Sequence, residues 1–310
     1  MQIYDTIIIG SGPAAYTASI YLRDANYKVL VLEGFNAGGY PPGGQLTSTS
    51  SITNYPGVLH CSGQELMDVM RTQSTKLSSQ NEMETVCKIN YTNNNLHEVI
   101  TEDNTYYAYS IIIATGASAK KLDFVGSDKF WNNGISSCAI CDGHNPRFKN
   151  SNVVVIGGGN TAIEYASYLS KLAKYVFIIV RKNTFRVNTY NVQNVLKLSN
   201  VSVLYNKTVI KADGNSWIEN ITLNDNTIIQ TAGVFYAIGH IPNTDFIKNS
   251  EPYNNILTDG YIDLSLLHNI RPKGVFVAGD VIYGAKKQAC IAAGSGANAA
   301  LDAITFLETK

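Results

Sequence analysis

Cys138-Ala139-Ile140-Cys141 is the one place in the chain where two thiols stand close along the sequence, and Asp142 follows the second of them directly. A C-x-x-C pair can cycle between disulfide and dithiol, because a lowered thiol pKa supplies the thiolate that exchange needs. A carboxyl beside the second sulfur is placed to carry a proton to or from that thiolate. The blander reading of Asp142 is a turn or helix cap. A structural zinc site is the other use of such a pair, but it needs two further thiolate or imidazole ligands. Cys61, Cys87 and Cys290 are isolated, and no second C-x-x-C exists. His144 could join the pair as a ligand, although a lone histidine is more often a surface or pocket residue. No metal is expected, and the three remaining cysteines read as small core or bystander residues.

The pair lies between two copies of an internal repeat, and the repeat shows what must position it. The stretch from Asp5 to Ala15 (DTIIIGSGPAA) recurs from Asn152 to Ala162 (NVVVIGGGNTA), and Tyr21-Leu22 recurs at the same offset as Tyr168-Leu169. In each copy a β-branched run reads as a buried parallel strand, a glycine turn follows, and a helical stretch leads to a second apolar strand, Lys28–Leu32 or Tyr175–Val180. Each copy is thus a βαβ unit opening with G-x-G-x-x-A. Its glycines permit a tight turn and let backbone N–H groups approach a pyrophosphate at the helix N-terminus. Because the strand-turn-helix context occurs twice, the motif is far more specific than a lone match.

The two units read as sites for different nucleotides. Glu33 ends the second strand of the first unit, where a carboxylate can accept hydrogen bonds from both hydroxyls of an adenosine ribose without a 2'-phosphate. The equivalent position of the second unit is Val180, followed by Arg181, Lys182 and Arg186, cations suited to a 2'-phosphate; the bland alternative is a solvated basic loop. Two dinucleotide sites exceed the needs of a simple dehydrogenase. They fit a flavoprotein that passes a hydride between FAD and a nicotinamide, with FAD at the first site.

A length of 310 residues allows two compact domains, and 45% hydrophobic with 15% charged residues argues against extensive disorder. Lys plus Arg equals Asp plus Glu at 24 each, so overall charge points to no nucleic-acid partner and no polybasic membrane anchor. The apolar run Ile3–Gly10 is too short to span a bilayer, is interrupted by Asp5, and lacks the features of a signal peptide. Five cysteines at irregular positions do not make a disulfide framework. A reducing, cytoplasmic location is the expectation, and a disulfide there would be catalytic.

Along nearly the whole chain the motifs resemble low-molecular-weight thioredoxin reductase. They are Gly10–Ala15, Gly43–Thr47 (GGQLT), Asn54–Gly57 (NYPG), Ala114–Gly116 (ATG), Cys138–Asp142 (CAICD), Gly157–Ala162, Gly239–Asn243 (GHIPN), Gly279–Val281 (GDV) and Gln288-Ala289. The stretch 36–44 looks more like the fungal, plant and protist branch than the enterobacterial one. The resemblance implies an α/β fold of two Rossmann-like dinucleotide-binding domains, the NADPH domain (118–243) inserted into a discontinuous FAD domain (1–117 and 244–310). It implies crossings within 116–123 and 239–244, a domain that swings about them so that nicotinamide and cysteine pair reach the flavin in turn, and a homodimer.

By the same resemblance, FAD contacts fall on Gly10, Gly12, Pro13, Ala14, Glu33, Gly34, Gly44, Gln45, Leu46, Asn54, Ala114, Thr115, Gly116, Gly279, Asp280, Lys287, Gln288 and Ala289. NADPH contacts fall on Gly157, Gly159, Asn160, Thr161, Ala162, Arg181, Lys182 and Arg186. Cys141 is implied to face the flavin and Cys138 to attack the disulfide of a separate thioredoxin, with Asp142 assisting protonation. The chain departs from the usual pattern at Val180, Lys287, Asn133 and Ile140, which bear on NADPH affinity, thioredoxin docking and redox potential. Three rivals remain: a ferredoxin- or flavin-dependent relative without an NADPH site, a small-molecule dithiol oxidase, and a redox-inert regulator. Arg181 and Arg186 argue against the first two, and the intact Cys138, Cys141 and Asp142 against the third.

Overall fold

The computed structural model describes residues 2–34, 39–49, 51–77, 79–92, 94–187, 189–248, 250–267 and 273–310. The part of the branch-like stretch at 36–38 lies outside the described residues. The chain forms two compact units. One comprises 1–48, 52–118 and 241–310; the other comprises 119–240 with 49–51.

In chain order, the first unit opens with β1 (Ile3–Ile9), α1 (Pro13–Asp24), β2 (Val29–Leu32), α2 (Gly63–Lys76), β3 (Gln80–Glu82), β4 (Val86–Tyr91), β5 (His97–Thr101) and β6 (Thr105–Ile113). The chain passes to the second unit within β7 (Ala117–Ala119). There follow β8 (Ile135–Ser136), α3 (Ala139–Asp142), β9 (Asn152–Ile156), α4 (Asn160–Leu169), β10 (Tyr175–Val180), α5 (Thr189–Leu196), β11 (Val201–Tyr205), β12 (Val209–Gly214), β13 (Ile218–Leu223), β14 (Ile228–Gln230) and β15 (Gly233–Tyr236). It returns within β16 (His240–Pro242) and completes the first unit with α6 (Asp245–Lys248), β17 (Leu257–Thr258), β18 (Tyr261–Ile262), α7 (Leu264–Leu267), β19 (Val275–Val277) and α8 (Ala289–Glu308).

The first unit is built on a sheet ordered β3-β2-β1-β6-β5-β4, with β19 also paired to β6. Its β3, β2, β1, β6 and β19 run parallel, whereas β4, β5 and β6 form an antiparallel meander. Parallel strands covered on both faces read as continuous apolar runs, and β1 shows why. Ile8 enters one core with residues of α1 and α8, while Ile7 and Ile9 enter another with Leu30, Ile111 and Ile113. α1 and α8 meet with almost no spacing: a Cβ on Gly296 would lie 2.1 Å from the Ala14 carbonyl oxygen. α8 is long and apolar enough by composition to cross a membrane, yet its buried stripe of Ala292, Ala293, Gly296, Ala299, Ala300 and Ala303 belongs to this core.

The second unit repeats the pattern on a smaller scale. Its parallel sheet is ordered β11-β10-β9-β15-β8, and β9 sends Val153 and Val155 to one core, Val154 and Ile156 to the other. The antiparallel sheet β12-β13-β14 supplies Val209, Ala212, Ile218 and Ile221 to the second of these cores.

Candidate active site

Gly10 leaves β1 with φ +130°, and a Cβ there would lie 2.3 Å from the Ala114 carbonyl oxygen, so the end of β6 crosses directly over the turn. Gly157 repeats the arrangement after β9, with φ +154° and a Cβ position 2.3 Å from the Ala237 carbonyl oxygen. The symmetry therefore extends past the glycines, to Ala114-Thr115-Gly116 in one unit and Ala237-Ile238-Gly239 in the other. Gly12 and Gly159 are different: a Cβ on either meets nothing within 4 Å. Each is the N-cap of its helix, α1 or α4, with no side-chain cap and no acidic residue in the first turn. By contrast, Ser62 and Glu65 close a full capping box on α2. Free N–H groups facing open space at a helix N-terminus are what a pyrophosphate requires, so both turns fit their dinucleotides.

The remaining FAD candidates all lie in the first unit. Pro13 and Ala14 open α1; Ser11 Oγ donates to the Glu33 carbonyl at 2.8 Å and accepts from the Gly43 N–H at 3.0 Å, tying the turn to β2 and to the loop ahead of Gly44. Gly44, Gln45 and Leu46 lie in a short 3-10 helix, and Gly34 donates its N–H to the Glu84 carbonyl. Asn54 Nδ2 donates to Gln288 Oε1 at 3.3 Å although the two are far apart in sequence. Thr115 Oγ1 is buried and has no hydrogen-bond partner among the described residues, an acceptor and donor waiting for a ligand. Gln288 is the N-cap of α8 but its side chain makes no capping bond to the helix, and Ala289 is the first residue of that helix. In the adjacent turn Gly279 donates its N–H to Ser295 Oγ, and burial pushes the Asp280 carboxyl up to about 6 against the pull of Lys287.

Glu33 stands at the end of β2, but the reading in which it accepts from two ribose hydroxyls meets a difficulty. Its side chain is fully covered, and protein donors already hold both oxygens. Tyr16 Oη at 2.9 Å, Arg71 Nε at 2.9 Å and Asn81 Nδ2 at 2.8 Å donate to Oε1; Arg71 Nη2 at 2.8 Å and Nε at 3.1 Å donate to Oε2.

In the second unit Asn160, Thr161 and Ala162 form the first turn of α4, and Arg181 and Lys182 follow β10 in exposed positions. The Arg186 N–H donates to the Gly158 carbonyl at 2.8 Å, which docks the basic loop on the glycine turn by its backbone and leaves the guanidinium exposed.

Cys138 and Cys141 are joined in a disulfide at the start of α3, immediately past β8. β8 runs parallel to β15 and β15 to β9, so the disulfide and the Gly157 turn lie at the carboxyl ends of strands in one sheet, the edge where open α/β sheets bind their ligands. Ser136 Oγ accepts from the Cys138 N–H at 3.0 Å and donates to Asp142 Oδ2. Burial raises the Asp142 carboxyl above its ordinary value, and the Ser136 bond opposes the rise. Tyr165 Oη donates to the Ser137 carbonyl at 2.7 Å and steadies the approach to the pair. His144 Nε2 is 2.6 Å from Tyr168 Oη, and no group of residues suited to a metal ion occurs among the described residues. Cys87 and Cys290 are exposed, and Cys61 is partly buried and packs against the core that α1 and α8 share.

Residues 4–296 match the family described as pyridine nucleotide-disulphide oxidoreductase. The chain belongs to this family. Among curated family members, thioredoxin reductase of Neurospora crassa is 41% identical, the alignment spanning 97% of this chain and 92% of that protein. Thioredoxin reductase of Dictyostelium discoideum is 39% identical over 99% and 98%. The solved structure of thioredoxin reductase from Streptococcus pyogenes superimposes with a TM-score of 0.88 at 32% identity, covering 99% of each chain. That from Giardia duodenalis gives 0.87 at 30%, covering 99% of this chain and 100% of that one.

The sequence reading missed several residues that this family member places at its sites. Ser136 carried a weak signal, a hydroxyl two positions ahead of the cysteine pair. Tyr16, Arg71 and Asn81 carried none, because α2 and β3 bring the last two to Glu33 from 38 and 48 residues away.

Proposed function

We propose that Cys138, Cys141 and Asp142 carry the chemistry of this enzyme, with FAD at the first glycine turn and NADPH at the second. The enzyme is a thioredoxin-disulfide reductase with FAD and NADPH as cofactors and thioredoxin as its protein substrate. The observation that carries the assignment of residues is the Cys138–Cys141 disulfide beside a carboxyl of raised pKa, on the same sheet edge as the Gly157 turn.

Bound FAD supplies the two-electron carrier between NADPH and the disulfide. The chain's part begins with holding both nucleotides by helix N-termini, and Arg181, Lys182 and Arg186 select the phosphorylated ribose of NADPH. Two electrons and two protons convert Cys138–Cys141 into a dithiol, and Asp142, steadied by Ser136, holds a proton for exchange with the Cys141 sulfur. Cys138 as thiolate then attacks one sulfur of thioredoxin's disulfide, forming a mixed disulfide and releasing the other sulfur as a thiolate. Cys141 attacks Cys138 Sγ in turn, which frees reduced thioredoxin and restores the starting disulfide. The electron pair that entered leaves on thioredoxin.

The reading extends to a homodimer, supported by Ile291 and Leu301 exposed on α8, and to the cytoplasm, where exposed thiols such as Cys87 and Cys290 stay reduced. Sedimentation of the purified protein tests the first. The central test is anaerobic reduction with NADPH followed by oxidised thioredoxin while flavin absorbance is watched. Bleaching and then recovery is expected, with recovery lost in Cys138→Ser; recovery that survives Cys138→Ser removes that cysteine from its role.

A further inference from the structure

We infer that the adenosine half of FAD is met by the Arg71 guanidinium, which lies over Glu33 and is fixed by it, and not by the Glu33 carboxylate itself. The inference rests on placing FAD at the first glycine turn, and concerns which side chain reads its far end. At the end of β2 a carboxylate is expected to face the ribose. Here the Glu33 side chain has no exposed surface, whereas the Arg71 side chain is 45% exposed. Of the two partners, only the arginine is open to solvent.

The count of donors and acceptors points the same way. An ionised carboxylate offers about four acceptor positions. Oε1 already takes three donors and Oε2 takes the Nη2 arm of the arginine fork with a longer share of Nε, so at most one position is left, and it is covered. The guanidinium is in the opposite condition. Nε and Nη2 are spent on Glu33, while Nη1 makes no hydrogen bond among the described residues and the side chain is partly open to solvent. Such a group can donate to ribose oxygens and stack on an adenine ring. Hydrogen bonds at the ribose would therefore run from protein to cofactor, the reverse of the direction expected from a bare carboxylate.

Glu33 becomes a positioning residue. It holds the planar group by two parallel bonds, a geometry that lysine cannot copy, and Tyr16 and Asn81 prevent the carboxylate from turning. α2, stiffened by its capping box, delivers Arg71 to this point.

The test uses the full chain stripped of flavin and titrated with FAD and with FMN, which lacks the adenosine, by quenching of flavin fluorescence. Arg71→Lys keeps a cation beside the buried carboxylate and so preserves folding, checked by circular dichroism; Arg71→Ala removes the cation as well. Both are expected to bind FAD at least about tenfold more weakly, the scale of a lost hydrogen bond from a charged group, with FMN affinity changed less than about twofold. Arg71→Lys within twofold of the wild type for FAD, or tighter binding by Arg71→Ala, shows that the carboxylate reads the ribose once uncovered and overturns the inference. Equal losses for FAD and FMN reduce Arg71 to a structural role and overturn it too. Gly12→Val separates the underlying reading: if that variant keeps FAD, the glycine turn itself has been misassigned.

Discussion

Replacing Arg181 and Arg186 together with alanine removes the guanidinium groups beside the second glycine turn while leaving the turn intact. The separation is clean because Arg186 docks on Gly158 through its backbone N–H, which alanine retains. A hydrogen bond to a charged group contributes about 1.5 to 3 kcal/mol. Both arginines are exposed, so the lower figure applies, and two such contacts correspond to roughly a hundredfold in affinity. Steady-state kinetics with NADPH and NADH in parallel should show KM for NADPH rising by about that factor, with NADH and kcat nearly unchanged. Raising ionic strength should weaken NADPH binding in the wild type and much less in the double variant, since the lost term is a screened charge interaction. An unchanged ratio of NADPH to NADH use would refute the assignment and leave the basic loop as a solvated surface.

Four further outcomes follow from the geometry. Asp142→Asn should slow reduction of the disulfide by about a hundredfold or more in stopped flow. The same variant should melt higher than the wild type at neutral pH: a carboxyl whose folded pKa is raised holds a proton the unfolded chain has released, so wild-type stability falls as pH rises through that window. Melting curves between pH 4 and 8 check the sign, and a gap that widens toward acid would contradict it. Gly10→Ala drives a Cβ onto the Ala114 carbonyl and should lower flavin content in the purified protein, whereas Gly157→Ala, which meets Ala237 in the same way, should spare flavin content and raise KM for NADPH. Gly296→Ala should cost at least about 2 kcal/mol of stability in denaturant titrations, because the Ala14 backbone it meets cannot step aside.

Much of the architecture was legible because it is local. The runs Ile7–Ile9 and Val153–Ile156 announce strands buried on two faces, and glycines at fixed steps after each announce the turns, so the repeat could be found without any knowledge of contacts. The cysteine pair was legible for the same reason: both thiols and the carboxyl fall within five residues. What escaped depends on chain segments that meet only after folding. Glu33 declares its place at a strand end, but nothing near it in sequence tells that Arg71 and Asn81 will close over it. Ala237 resembles an ordinary strand residue until its carbonyl is seen lying across Gly157. The antiparallel meander of β4 to β6 and the small sheet β12-β13-β14 were likewise unread, since mixed polar and apolar strands give a weaker signal than the buried parallel runs.

The close seat of Gly296 against Ala14 joins a segment ahead of the second unit to one that follows it, and this bears on the order of events during synthesis. The second unit draws almost wholly on a continuous stretch, 119–240, and can close its cores as soon as that stretch has left the ribosome. The first unit must wait. α1 is made before the second unit, yet the apolar stripe it packs against belongs to α8, which is translated after that unit. The nascent chain therefore carries a finished second unit while the first stands open, and a ribosome that stops short of Ala289 leaves the apolar face of α1 without its cover.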